Sequence, residues 1–190
     1  MSLFTPMQTH TAACGCSSLR FSPTTWYWAW TISRPYGGAL EWRVPPHLRH
    51  TRLDARAGVA RPPWGGELDL RPFFGVMATA PPVGFGRQQS SIPPRNEFGG
   101  NLDCKELVAG STLYLPVHVA GAMFVVGDGH ARQGDGECCG TALETCLAGA
   151  FRLSVVKPSL PPSLAALEAM LDWLGELRPA VDRRDAYMLL

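Results

Sequence analysis

Several signatures are missing from this 190-residue chain, and each absence narrows what it does. There is no excess charge of one sign: 17 basic and 16 acidic side chains give a formal net charge of +1. That balance lacks the electrostatic footprint of a general nucleic-acid binder. No apolar run approaches the roughly 20 residues that a membrane-spanning helix needs. The first thirty residues have no basic stretch leading into a clean apolar one, because Thr5, Pro6, Gln8, Thr9 and His10 interrupt it. We therefore expect no secretory signal, no membrane partner, and a cytoplasmic location.

Metal-finger and nucleotide motifs are missing as well. The six cysteines stand at 14, 16, 104, 138, 139 and 146 with no C-x-x-C pair, so we expect free, mostly buried thiols. No G-K-[ST] follows a glycine run, and no G-x-G-x-x-G or G-x-S-x-G occurs, which removes nucleotide and serine-hydrolase readings. Lysine is scarce, with only Lys105 and Lys157.

Glycine and proline, by contrast, are plentiful: 20 and 17 residues. They favour turns and short strands over long helices. With 46% hydrophobic residues, the chain can build a core. Residues 1–50 hold four arginines, one acid (Glu41) and the aromatic run Trp26-Tyr27-Trp28-Ala29-Trp30, without a period of 2 or 3.6, and receive no fold assignment. Residues 51–157 have a β texture. Leu68 to Met77 reads as strand, ending at Ala80-Pro81-Pro82, and a Pro/Gly/Ser/Gln-rich loop follows. From Thr112 to Val119 apolar and polar residues alternate, which predicts a half-buried strand that Pro116 places at an edge. Met123 to Val126 and Ala150 to Val156 read as further strands. Residues 158–190 are helical: Leu164, Leu167, Met170, Leu171, Leu174 and Leu177 recur at helical spacing until Pro179, and Asp182 is placed to cap a second helix. The expected fold is thus mainly β, a sandwich or barrel-like core with one or two C-terminal helices.

The densest polar cluster contains the same pattern twice: Asp128-Gly129-His130 and Asp135-Gly136-Glu137. In extended backbone, residues i and i+2 lie on one side about 6.5–7 Å apart, so each pair can converge on a point. Upstream, Asn101 and Asp103 form a third such pair. Carboxylates crowded in this way need a cation or hydrogen-bond donors to offset their repulsion. Mixed oxygen and nitrogen donors suit zinc, manganese or calcium, and the imidazole favours zinc. Ordinary Asp-Gly turns with capping side chains account for the spacing equally well. Glu144 follows as a candidate general base or a solvated strand position.

Four segments, taken in order, resemble the acetamidase/formamidase family: Pro72 to Pro82, Gly99-Gly100-Asn101-Leu102-Asp103, Gly110 to Val117, and Gly127-Asp128-Gly129-His130 through Gly134-Asp135-Gly136-Glu137. The resemblance covers residues 51–157 best and identifies a short or truncated member. It implies a mostly β architecture, a bound divalent metal, a homo-oligomer, and hydrolysis of formamide and short aliphatic amides to ammonia and a carboxylate. The metal-binding candidates are then Asn101, Asp103, Asp128, His130, Asp135 and Glu137. Glu137 or Glu144 would serve as the base, and the amides of Gly127 and Gly129 would steady an oxyanion. The alternative is a non-catalytic β protein of the same ancestry that serves in assembly or metal binding.

Overall fold

The computed structural model describes residues 10–21, 27–33, 39, 45–86, 94–156 and 162–188. It is mainly β, with two helices at the C-terminal end, as expected. Eleven strands are described: β1 (His10–Phe21), β2 (Tyr27–Ser33), β3 (His47–Asp54), β4 (Val59–Arg61), β5 (Leu68–Asp69), β6 (Phe73–Ala78), β7 (Gly99–Asn101), β8 (Thr112–Val117), β9 (Val125–Arg132), β10 (Leu143–Glu144) and β11 (Leu147–Val156). They form a three-stranded sheet, β11-β1-β8, and an eight-stranded sheet, β5-β4-β3-β2-β10-β9-β6-β7. The smaller sheet meets the larger through Phe151, whose ring lies 5.6 Å from Phe74 and 5.6 Å from Phe124.

The edge expected from Pro116 is present, since β8 closes one side of the smaller sheet. A residue without an N–H is tolerated on a strand that pairs on only one side. Leu115, on the apolar alternation, is buried.

Residues 1–50, left without a fold by sequence reasoning, supply two central strands. β1 lies in the middle of the smaller sheet, pairing with both β11 and β8. β2 lies between β3 and β10 in the larger one. Among their described side chains the buried ones are small, and small residues raise no clear apolar period. Cys14 and Cys16, two apart, are buried on β1, and Ala29 of β2 is fully buried against Leu53, Ala60 and Ala131. Trp26, and the side chains of Tyr27, Trp28 and Trp30, lie outside the described residues. Of the six free cysteines only Cys14 and Cys16 are buried; Cys104 and Cys139 are half-buried, and Cys138 and Cys146 are exposed. Burial, with the neighbouring Cys16 adding to it, pushes the Cys14 thiol up to about 11, which keeps it protonated and unreactive.

The two helices are α1 (Pro162–Leu177) and α2 (Arg183–Met188). Leu171 and Ala186 are their buried contacts. Asp182 caps α2 as expected: its Oδ1 accepts the Arg184 N–H at 2.8 Å. Arg183 ties the helices together by ion pairs to Glu168 and Asp172. Among the described residues no helix is long and apolar enough to cross a membrane.

Candidate functional site

β9 runs between β6 and β10, and that placement builds the site. His130 stands opposite Phe73 on one side and Glu144 on the other. Residues directly opposite in a ladder share a face, so all three side chains meet. The Phe73 ring packs edge-on to the imidazole at 4.9 Å. Glu144 brings its Oε2 to 3.3 Å from His130 Nε2, and its Oε1 accepts the Ala142 N–H at 2.9 Å. Asp128, two residues before His130 on the same strand, places Oδ1 at 3.4 Å from the same Nε2.

Asp103 reaches the cluster from the end of β7. The carbonyl of Gly75 accepts both the Leu102 N–H (2.8 Å) and the Asp103 N–H (3.1 Å), tying this turn to β6. Asp103 Oδ1 then lies 4.0 Å from His130 Nε2. Asn101 donates its side-chain amide to the other oxygen, Oδ2. Glu137 completes the cluster from the turn after β9, so that Asp103, His130 and Glu137 form one close group and Asp128, His130 and Glu144 a second. Side-chain exposure rises from 1% at His130 through 9% at Glu144 and 20% at Asp103 to 34% at Asp128, which sets the imidazole at the floor and Asp128 at the mouth.

Three of these carboxylates sit on strained backbone. Asp103, Asp128 and Glu137 have φ of 45°, 61° and 40°, in the left-handed region that side chains other than glycine's avoid. Three of the five described non-glycine residues with positive φ thus fall in this cluster, the other two being Ala122 and Met123, and strain of this kind concentrates at functional sites.

The electrostatics follow from burial and crowding. Burial works against a charged His130, but Glu144, Asp128 and Asp103 outweigh it and lift the imidazole to about 9. Burial, reinforced by Asp103, pushes Glu137 up to about 7. Asp103 and Asp128 are raised, chiefly by burial. Burial also works to raise Glu144, yet the His130 ring and the Ala142 N–H hold it below the ordinary carboxylate value. Asp103 Oδ1 and His130 Nε2 are buried without a hydrogen-bond partner.

The structure therefore gathers Asp103, Asp128, His130, Glu137 and Glu144, with Asn101 orienting Asp103. It does not bring Asp135 in. That side chain is 88% exposed and pairs with Lys105 at 3.0 Å. The i, i+2 convergence expected for Asp135 and Glu137 fails because these residues occupy turns, where the strand geometry behind that rule does not apply. Gly127 and Gly129 lie in the β9 ladder opposite Val76 and Phe74. Ladder amides lie along the sheet, not above it. A Cβ on Gly129 would meet Thr145 O at 2.5 Å and Leu147 Cγ at 3.0 Å, so this glycine admits the chain that carries Glu144. The oxyanion role expected of these two amides finds no such geometry.

Two residues of the site were not singled out from the sequence. Gly75 lies across the ladder from Asp128, and a Cβ there would stand 2.5 Å from Asp103 Oδ1, 2.8 Å from Asp128 Oδ2 and 2.9 Å from His130 Cε1. It is the vacancy in which the carboxylates meet. Gln133 accepts from His130 Nδ1 at 2.8 Å and donates to the Asp103 carbonyl at 2.8 Å. A glycine two residues after a buried aromatic on a strand is the one sequence signal that pointed to close approach.

The geometry defines a class: a mainly β chain holding one buried imidazole among four carboxylates. The acetamidase/formamidase family model matches residues 86–161. A formamidase candidate of Schizosaccharomyces pombe is 46% identical over 69 residues, 35% of this chain and 17% of that protein. An acetamidase of Mycolicibacterium smegmatis is 53% identical over 47 residues, 25% of this chain and 11% of that one. The solved acetamidase of Bacillus halodurans shares the fold with a TM-score of 0.72 and 26% identity, over 95% of this chain and 65% of the other. The chain thus spans less than two thirds of the relatives it matches. These likenesses bear out the acetamidase/formamidase resemblance carried by the motifs.

Proposed function

We propose that this chain hydrolyses short aliphatic amides such as formamide and acetamide to ammonia and a carboxylate, using a divalent cation held by Asp103, Asp128, His130 and Glu144, with Glu137 left free as the base. The observation that carries the reading is the pair of unpartnered buried atoms, Asp103 Oδ1 and His130 Nε2, set among carboxylates. Buried polar atoms are nearly always satisfied, and a cation satisfies both while offsetting the crowded negative charge. The donor set, one imidazole nitrogen with carboxylate oxygens, suits zinc, with manganese and calcium as the oxygen-preferring alternatives. When bound, such a cation supplies Lewis-acid polarisation of a carbonyl and makes water more acidic.

The chain's own residues supply the rest. Glu137, the carboxylate left free of the cation, takes a proton from the attacking water at a carboxylate oxygen and returns it to the amide nitrogen. The water oxygen bonds to the carbonyl carbon, the C–N bond breaks, and the protonated nitrogen leaves as ammonia. Glu144, whose Oε1 is fixed by the Ala142 N–H at 2.9 Å, stays on the ligand side of this division. Phe73 covers the imidazole floor and keeps water from behind it.

The same reading extends to a homo-oligomer in the cytoplasm. Six free thiols suit a reducing compartment, and Leu153, Val155, Trp173 and Met188 leave apolar surface exposed for subunit contacts.

The test is ammonia release from formamide and acetamide by the purified chain, zinc-loaded or chelator-stripped, beside His130→Ala. Release that needs both zinc and His130 is the expected result. No release from folded, zinc-loaded chain would overturn the amidase reading and leave a metal-binding β protein without turnover.

A further inference from the structure

Gln133 is a neutral side chain that hydrogen-bonds both the imidazole and the Asp103 segment, and its two hydrogen bonds can be read in only one way. Its Nε2 lies 2.8 Å from the Asp103 main-chain carbonyl. A carbonyl oxygen only accepts, so the side-chain atom facing it must be the NH2 group. The other amide atom, the oxygen, then faces His130 Nδ1 at 2.8 Å. An amide oxygen only accepts, so Nδ1 must carry the hydrogen. With Nδ1 committed, Nε2 is the nitrogen left to face Glu144 at 3.3 Å, Asp128 at 3.4 Å and Asp103 at 4.0 Å. It does so buried and without a hydrogen-bond partner.

We infer that Gln133 is a positioning residue: it locks His130 in the Nδ1–H form, aims Nε2 into the carboxylate cluster as the cation's nitrogen ligand, and holds the Asp103 segment in register with it. This inference rests on the metal reading above. Sequence separation explains how one side chain does both. Gln133 follows His130 by three residues at the end of β9, yet its amide reaches 30 residues back to Asp103. It thus joins the two halves of the site, the β7 turn and the β9 strand, in a single hydrogen-bonded chain. A partner that fixes the tautomer and ring angle of a metal-binding histidine typically accounts for about 10- to 100-fold in metal affinity.

The experiment measures zinc affinity by competition with a chromogenic chelator for the wild type, Gln133→Leu and Gln133→Glu, and records the His130 ring nitrogens by 15N NMR in the zinc-loaded wild type. Leucine fills the space but accepts nothing. Glutamate still accepts from Nδ1–H but turns a carboxylate oxygen towards the Asp103 carbonyl, replacing that donation with repulsion. Expected are a loss of about 10- to 100-fold for Gln133→Leu, partial recovery in Gln133→Glu, and a wild-type spectrum with the proton on Nδ1 and zinc on Nε2. Zinc on Nδ1 in the wild type would overturn the inference even if Gln133→Leu failed to fold. So would a folded Gln133→Leu chain within about two-fold of wild type. Those outcomes leave the metal reading intact, whereas a wild type that binds no zinc would sink both.

Discussion

Asp128-Gly129-His130 and Asp135-Gly136-Glu137 are near copies in sequence, seven residues apart, and the structure gives them opposite fates. The first lies on β9, where the ladder fixes His130 and the left-handed backbone at Asp128 (φ 61°) brings its Oδ1 to 3.4 Å from His130 Nε2. The second lies in turns, so Asp135 faces solvent and Lys105 while Glu137 swings into the cluster. A spacing rule is therefore only as good as the backbone beneath it. What decides the backbone here is pairing: β9 is flanked by β6 and β10, whereas residues 133–142 have no ladder partner among the described residues.

The largest effect should come from filling the space on which the strand copy depends. Gly75→Ala places a methyl inside van der Waals distance of Asp103, Asp128 and His130. We expect more than about 100-fold weaker zinc binding and a loss of about 1–3 kcal/mol in urea unfolding, as overpacked sites show. Gly127→Ala is the matched control, since nothing lies within 4 Å of its Cβ and its φ is not positive. It should leave zinc affinity unchanged and unfold at the same urea concentration or slightly higher.

Next is His130→Ala. Removing the one positive group among buried carboxylates should cost about 3 kcal/mol in the metal-free chain at pH 6, in line with other broken buried pairs. A melting temperature equal to wild type would show that the carboxylates do not lean on the imidazole.

A pH series sharpens the same point. In the metal-free chain the folded His130 is raised to about 9 from 6.5, so its contribution is complete below about 6.5 and is lost as pH climbs through 9. Glu137 is raised to about 7 from 4.5. The folded state therefore keeps a proton that the unfolded chain gives up, and stability falls between those values as well. Both groups predict metal-free stability declining from about pH 4.5 to about 9. Zinc competes with those protons, so the stabilisation it adds should grow over the same range. Urea midpoints at three pH values, with chelator and with zinc, check both trends; stability rising with pH in chelator would contradict the account. The smallest effect belongs to Asp135→Ala, whose exposed pair with Lys105 should leave the urea midpoint indistinguishable from wild type.

How much of this was legible beforehand follows from the same contrast. Alternation in Thr112–Val117, the helical stripe of 164–177 and the Asp182 cap were readable because each is a local pattern with a local cause. β1 and β2 were not: their buried residues among the described side chains are Cys14, Cys16 and Ala29, too small to raise an apolar period. At the site, Asp128 and His130 were legible from spacing along one strand. Glu144 was legible only as a candidate, since it arrives by pairing of β10 with β9. Gly75 and Gln133 act across 28 and 30 residues from Asp103, and nothing local announces that reach. The exposure of Asp135 was hidden for the converse reason: its neighbours promise a strand that the turn does not deliver.

The most direct test of the central claim is the metal content of the purified chain after zinc loading and dialysis, measured by atomic emission for wild type, Asp128→Ala and Asp135→Ala side by side. The expected result is about one zinc per chain in wild type and Asp135→Ala, and little in Asp128→Ala. Equal zinc in both variants, or loss in Asp135→Ala alone, would contradict the assignment of the strand copy as the metal centre.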